Sequence, residues 1–399
     1  VEMRTLIPGY RSVMQEVGRD TKVAEWDDLF GGFARVYRGK LGDNVLYVLD
    51  APHLYDRDGR PYSDAHGRDW PDNAERFAAL SSAAAMIAAD GIEGWMPQVM
   101  HCHDWQAGFA PLYLRELGAS DRVASLITLH NIAFQGIARA SMISTLGLPR
   151  SGFNERGYEY WNNISALKAG LVYADKLSTV SPTYASELMT ESFGMGLDGV
   201  LRERQADLVG VLNGIDEGIW TPPYKSPDGK AKYRAALREE MGLPDWPGPL
   251  CVLISRLTEQ KGLDILLQAL PALLDRGGQL ALLGAGDRDL EEAFLGYAGA
   301  HPGVATRIGY DEALARRLVA GGDAILASPA GLAAGAATGV QFHPVTAQAL
   351  AQALMKLVKL YDDRPTWTRM MKNAMASPVS WEHSAATYAA LYSEMVKTA

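Results

Sequence analysis

Cysteine is scarce: the 399 residues contain only Cys102 and Cys251, one in each half of the chain and both inside apolar runs. That excludes a disulfide framework and makes a reducing cytoplasm the natural location. Long hydrophobic runs are lacking too, since no stretch reaches the roughly 18 uninterrupted apolar residues of a helical membrane span. The nearest candidate, the Ala-rich stretch 78–89 broken by Ser81 and Ser82, reads as a packed helix. Basic charge is in deficit, with 38 Lys and Arg against 47 Asp and Glu, a net charge of −9. Such a chain lacks the electrostatic footprint of a general nucleic-acid binder. The opening Val1-Glu2-Met3-Arg4 has no basic and apolar leader pattern, so no signal peptide is legible. A first residue other than Met, running almost at once into a strand, leads us to expect further chain upstream.

What is present is globular. Hydrophobic residues make up 48% and charged residues 21%, as in folded soluble proteins, and the length suits two or three domains. Strand-like runs at 4–7, 45–49, 98–101, 123–129, 176–180 and 208–212 alternate with helical segments at 73–89, 107–117 and 164–173. A stretch at 219–230 with Pro222, Pro223 and Pro227 reads as an interdomain linker. Beyond it come strands at 250–254, 279–283, 304–308 and 324–326, and helices at 262–274, 290–297 and 312–319. The first of these helices carries Leu263, Leu266, Leu267, Leu270 and Leu274 on one face, with a kink expected at Pro271. This alternation predicts an α/β protein of two doubly wound domains with a cleft between them. Ligands of such sheets sit beyond the carboxyl ends of the strands.

Chemistry-bearing residues fall at those ends. Arg256 and Lys261 lie five residues apart where a strand feeds a helix, a spacing suited to a phosphate or diphosphate; the alternative is an exposed loop with two solvated cations. Gly284 and Gly286 let backbone approach a ligand closely, or form a tight turn. Tyr310 at a strand tip is placed either to stack on a base or to sit half-buried on a rim. In the first half, His101-Cys102-His103-Asp104 and His130-Asn131 follow successive strands. His-x-His-Asp superficially resembles a metal site, but further ligands at a recognisable spacing are lacking, so we expect no metal. Asp56-Arg57-Asp58-Gly59 reads as a plain turn, without the remaining ligands of a calcium loop.

Together these residues resemble the bacterial glycogen synthases and plant starch synthases. The resemblance runs through PHLYDRDGRPY (52–62), HCHDWQAG (101–108), TLHNIAFQG (128–136), ALKAGLVYAD (166–175), VLNGIDEGIW (211–220), SRLTEQKGLD (255–264), LGAGD (283–287), IGY (308–310) and VSWEHSAATYAALY (379–392). It implies the GT-B fold, two Rossmann-like domains facing each other across a cleft. Residues 1–218 would form an acceptor and catalytic domain and 219–380 a nucleotide-sugar-binding domain, with a final helix at 381–399 packing back on the first. It also implies a donor, ADP-glucose, a glycogen or α-1,4-glucan acceptor, and no cofactor. In the family's pattern Arg256 and Lys261 bind the diphosphate, Tyr310 stacks on adenine, and His130, Asn131 and Asn213 line the sugar pocket. Asp104 stands beside the reaction centre and Trp70 lines the active site. A related transferase using UDP-glucose is the alternative donor class.

The chain departs from that pattern in two places. The family's opening strand and Lys-Thr-Gly-Gly loop precede the point where this sequence starts. Later, only residues 329–338 separate the strand ending near Ser328 from Gly339, where relatives carry a Glu-Pro-x-Gly-Leu segment, another strand and a Thr-Gly-Gly loop. A parallel crossover alone takes a dozen or more residues. We expect these segments to exist in the protein beyond the sequence at hand. Their true absence would remove the glutamate that holds the sugar hydroxyls, leaving a catalytically impaired protein that binds glucan or nucleotide.

Overall fold

Strands form where aliphatic residues alternate or concentrate, and in the computed structural model those among the described residues gather into four sheets. The structure describes residues 1–19, 21–64, 66–326, 340–377 and 379–396. By its internal contacts the chain divides into two units, residues 1–212 joined by the C-terminal residues from Ser384 onward, and residues 213–383.

In the first unit, β1 (Arg4–Pro8), β2 (Lys22–Trp26), β3 (Ala34–Leu41) and β4 (Asn44–Asp50) form a sheet ordered β1-β4-β3-β2. Only β1 and β4 run parallel, so this sheet is mixed rather than wholly parallel as expected. The polar outward residues of β2 and β3 hid them from an aliphatic search. A second sheet is parallel throughout and uses β5 (Val99–His103) and β6 (Ala124–Leu129). A small antiparallel sheet of β7 (Ile137–Arg139), β8 (Glu159–Tyr160) and β9 (Asn163–Ser165) interrupts the chain. Then β10 (Lys176–Thr179) and β11 (Leu208–Gly210) complete the order β11-β10-β6-β5.

The helix Asn73–Asp90 explains its own alanine run. Ala78, Ala85, Ala88 and Ala89 pack into the core beneath the parallel sheet, while Ala79, Ala83 and Ile87 pack into that of the mixed sheet. A helix buried on two sides needs small side chains to sit close to both. The final helix, Trp381–Met395, buries Leu391 and Met395 against Ala124 and Leu126 of β6. Ser384 Oγ donates to the Leu212 carbonyl.

The second unit is built on β12 (Leu250–Leu257), β13 (Gln279–Gly286), β14 (Val304–Ile308) and β15 (Ala324–Ile325), all parallel and ordered β14-β13-β12-β15. Cys251, Leu253, Leu280 and Leu282 face one core and Val252, Ala281 and Leu283 the other, so helices cover both faces. β12 and β13 each run three residues beyond their expected ends at Ile254 and Leu283. The expected linker is partly structured: a short helix Glu217–Trp220 and a turn at Pro227–Gly229 lead into a full helix, Lys230–Met241. That helix buries only Leu237 and Arg238, too little apolar surface to be seen in sequence. The expected kink falls where Leu263–Ala269 gives way to Pro271–Leu274. The connection 329–338 lies outside the described residues.

Candidate active site

In the second unit the carboxyl ends of three neighbouring strands bring together five of the residues singled out above: Arg256, Lys261, Gly284, Gly286 and Tyr310. Strand register sets Ser255 beside Gly284, Arg256 beside Ala285 and Leu257 beside Gly286, with Gly284 also beside Ile308. Arg256 is therefore on the strand itself, with its side chain exposed. Lys261 follows on a single 3₁₀ turn, Glu259–Lys261, closed by Gly262 at φ +70°. Neither cation has an ion pair or side-chain hydrogen bond among the described residues. Tyr310 is 91% exposed just past β14, beyond Gly309 at φ +133°. A half-buried rim aromatic is thus not what the structure shows.

The glycines serve the sheet. A Cβ at Gly284 would meet the Ser255 carbonyl at 2.2 Å, and one at Gly286 would meet that of Leu257 at 2.2 Å. No tight turn forms there, because the strand continues through both. The Gly286 N–H donates to Glu291 Oε1 at 2.8 Å, a partner that sequence reasoning did not anticipate. A cavity of about 610 Å³ opens beside Lys261 and Ser255, but its wall is mostly apolar, including Ile254, Ile325, Phe342 and Met375. Most of that wall offers a diphosphate no partner, and the cations at the strand ends, Lys261 of the lining among them, are the better guide to chemistry.

The first unit holds a second cluster. β5 ends at His103 and turns through Asp104, whose φ of +51° is uncommon for a residue with a Cβ. The turn aims the Asp104 carboxylate at the loop following β6, where Oδ1 accepts the backbone N–H groups of His130 at 2.7 Å and Asn131 at 3.3 Å. His103 Nδ1 and His130 Nε2 share a hydrogen bond of 3.0 Å. The ring of His103 reaches solvent yet is ringed by protein, and that desolvation, with His130 beside it, lowers its pKa to about 4. Gly136, at φ +61°, leaves room for Trp105, whose ring a Cβ there would meet at 2.4 Å.

Asn213 is exposed and is the first residue of the second unit. Trp70 is occupied locally: its Nε1 donates to the Arg60 carbonyl at 3.1 Å and its ring carries the Arg57 guanidinium at 4.9 Å. Its link to the Asp104 cluster is indirect. The Trp70 N–H donates to the Tyr62 carbonyl, the Tyr62 hydroxyl accepts from Gln106, and the Tyr62 ring lies 6.2 Å from that of Trp105. Tyr62 and Trp105 lie in the quoted segments 52–62 and 101–108, but their contact with each other comes only from the fold. At the Asp56-Arg57-Asp58 turn, Arg11 bridges both carboxylates. Among the described residues no group of three or more His, Cys, Asp or Glu is placed to hold a metal ion, and no helix is long and apolar enough to cross a membrane.

Two Rossmann-like units, one of them presenting exposed strand-end residues Arg256 and Tyr310 beside Lys261, define a glycosyltransferase of the GT-B fold. The model of the starch synthase catalytic domain matches residues 1–203. The glycogen synthase of Paracoccus denitrificans is 56% identical over 431 aligned positions, covering 99% of this chain and 92% of that protein. That of Jannaschia sp. is 50% identical over 434 positions, covering 98% and 91%. The catalytic domain of starch synthase IV from Arabidopsis thaliana, solved with ADP and acarbose, superposes with a TM-score of 0.83 at 25% identity over 98% of this chain and 92% of that one. The chain belongs to the glycogen synthase and starch synthase family and is a glucosyltransferase. The Paracoccus alignment, at 431 positions against 399 residues, has at least 32 positions without a counterpart here.

Proposed function

We propose that this enzyme transfers glucose, with retention of configuration, from ADP-glucose to the 4-hydroxyl at the non-reducing end of an α-1,4-glucan, in the cytoplasm. The observation that carries the proposal is the pair of cations, Arg256 and Lys261, unpaired among the described residues and at the same strand ends as the exposed Tyr310 ring. In a chain of net charge −9, unpaired cations at a ligand-binding edge are suited to an anionic donor. Arg256 and Lys261 would hold the diphosphate and neutralise charge as it departs, each contributing on the order of 3 kcal/mol to the transition state. Tyr310 would stack on adenine, and Gly284 and Gly286 would let the backbone approach the donor. In the first unit His130 and Asn131 would line the glucosyl pocket, with Asp104 beside the reaction centre; Asn213 would be a further contact to the sugar. Trp70 belongs to the same unit, which would receive the glucan. The departing phosphate would take the acceptor's proton, so no protein nucleophile is needed, and cations in these roles need no divalent metal.

ADP release from ADP-glucose in the presence of glycogen tests the proposal, with UDP-glucose as competitor. Lys261→Ala should lower kcat by two orders of magnitude or more without altering the circular dichroism spectrum. Absence of ADP release, or a clear preference for UDP-glucose, would refute the donor assignment. One observation favours binding without turnover: no Glu-Pro-x-Gly-Leu segment occurs between Ser328 and Gly339. Tight glycogen or ADP binding with no detectable transfer would establish that alternative.

A further inference from the structure

We infer that Tyr392, on the last helix, is a positioning residue for the sugar site, acting through His101 and His103 to fix the imidazole of His130. The inference rests on the placement of His130 in the glucosyl pocket proposed above.

Strand alternation puts Val99, His101 and His103 on one face of β5, the face covered by the helix Trp381–Met395, while Met100 and Cys102 point into the main core. His101 is held at both ring nitrogens. Nδ1 lies 2.6 Å from the Tyr392 hydroxyl and Nε2 lies 2.6 Å from Thr128 Oγ1, which is itself 2.6 Å from Ser178 Oγ. Burial lowers His101 to about 3, helped by His103 and His130, so the ring is neutral and carries a single N–H. Burial, with Tyr388 beside it, raises the Tyr392 phenol to about 12, so it keeps its proton. A phenol is a better donor than acceptor, which sets the direction of the chain. Tyr392 O–H donates to Nδ1, Nε2–H donates to Thr128, and Thr128 donates to Ser178.

A ring clamped at both nitrogens is a fixed wall. His103 stacks on it with centroids 4.3 Å apart and planes 30° apart, and from that position bonds His130. Tyr388 lies 5.4 Å from His101 and is stacked on Tyr392. Without the Tyr392 hydroxyl, the clamp on His101 becomes single-ended. The wall can then rotate, and the His103–His130 bond loses its fixed geometry. A group displaced from its reactive geometry costs rate rather than substrate affinity.

The test combines spectroscopy, which needs no activity, with kinetics. In full-length protein with ¹⁵N-labelled histidine, His101 should appear as the Nε2–H tautomer, and a ¹⁵N–¹⁵N coupling should cross the His103–His130 hydrogen bond. Tyr392→Phe, which keeps the ring packing, should abolish the His101 preference and weaken that coupling. In glucosyl transfer, the same variant should lower kcat about five- to tenfold with the donor KM within twofold. It should add nothing further in a His103→Ala background, since both changes cut one chain of contacts. His103→Gln, which retains a hydrogen-bonding side chain, should recover part of the His103→Ala loss. Additive losses in the double variant, an unchanged kcat for Tyr392→Phe, or a His101 tautomer indifferent to Tyr392 would each overturn the inference. Should the wild-type protein transfer no glucose, the proposed function fails while the tautomer and coupling still decide the role of Tyr392.

Discussion

Asp104 offers the sharpest test of how the first unit builds its site. Its Oδ1 accepts the N–H groups of His130 and Asn131, so the carboxylate clasps the loop that carries both sugar-pocket candidates. Hydrogen bonds to a charged group are worth about 1.5–3 kcal/mol each. The low end applies because the loop is partly exposed to solvent, which gives about 3 kcal/mol for the two. If Asp104→Ala loses that much from the transition state, kcat/KM falls by about 100-fold. The protein should also melt earlier, because Ala at φ +51° is strained. Asp104→Asn keeps an accepting oxygen, tolerates the positive φ and forfeits only the charge assistance, about half the bond strength. Its loss should be about tenfold. Initial rates of nucleoside diphosphate release, with thermal melts run in parallel, measure both. Equal impairment of the two variants would show that the charge acts directly on the reacting groups and not through the loop. Activity of the Ala variant within fivefold of wild type would show that the loop holds itself.

Other expectations follow from single contacts. Tyr310→Ala should raise the donor KM roughly 5- to 100-fold with little change in kcat, since ring-on-base stacking is worth about 1–3 kcal/mol; Tyr310→Phe should stay within twofold, and an unaltered KM in the Ala variant counts against adenine stacking. Arg76 is fully buried and donates to the carbonyls of Leu54 and Pro61 and to Asn73 Oδ1. Arg76→Met strands those acceptors, so the first unit should melt about 6–12 °C lower for a loss of about 3 kcal/mol; a shift under 2 °C would refute that role. His101 and His103 have folded pKa values of about 3 and about 4, below the ordinary histidine range. Unfolding therefore takes up their protons as pH falls below about 6.5, and the stability they contribute is complete above that pH and lost toward pH 3–4. Melting temperature should decline across that window, less steeply in His101→Gln; identical slopes would contradict a neutral, partly buried His101.

Much of this architecture could be read from the residues. The parallel strands of both units concentrate aliphatic side chains because both their faces are buried, which makes them visible without any partner. What escaped was whatever faced solvent. β2 and β3 intersperse charged residues among apolar ones, and the helix Lys230–Met241 shows the core little more than Leu237. The solvent-facing ends of β12 and β13 escaped for the same reason, and Arg256 sits on β12 rather than after it. In the candidate site the motif residues at strand ends were legible because polar groups there interrupt apolar runs. Tyr392 gave no signal: its partner His101 is 291 positions away, and only the fold brings them together.

The return of the last helix to the first unit also orders events during synthesis. Domains usually fold in the sequence in which they emerge, but here the first to emerge cannot finish first. Its β6 face and the buried side of His101 stay uncovered until Leu391, Tyr392 and Met395 have been made. The second unit, continuous from Asn213 to His383, has every residue it needs earlier. A chain cut short just before Leu391 would thus hold all of residues 213–383 but leave the first unit open along one sheet face.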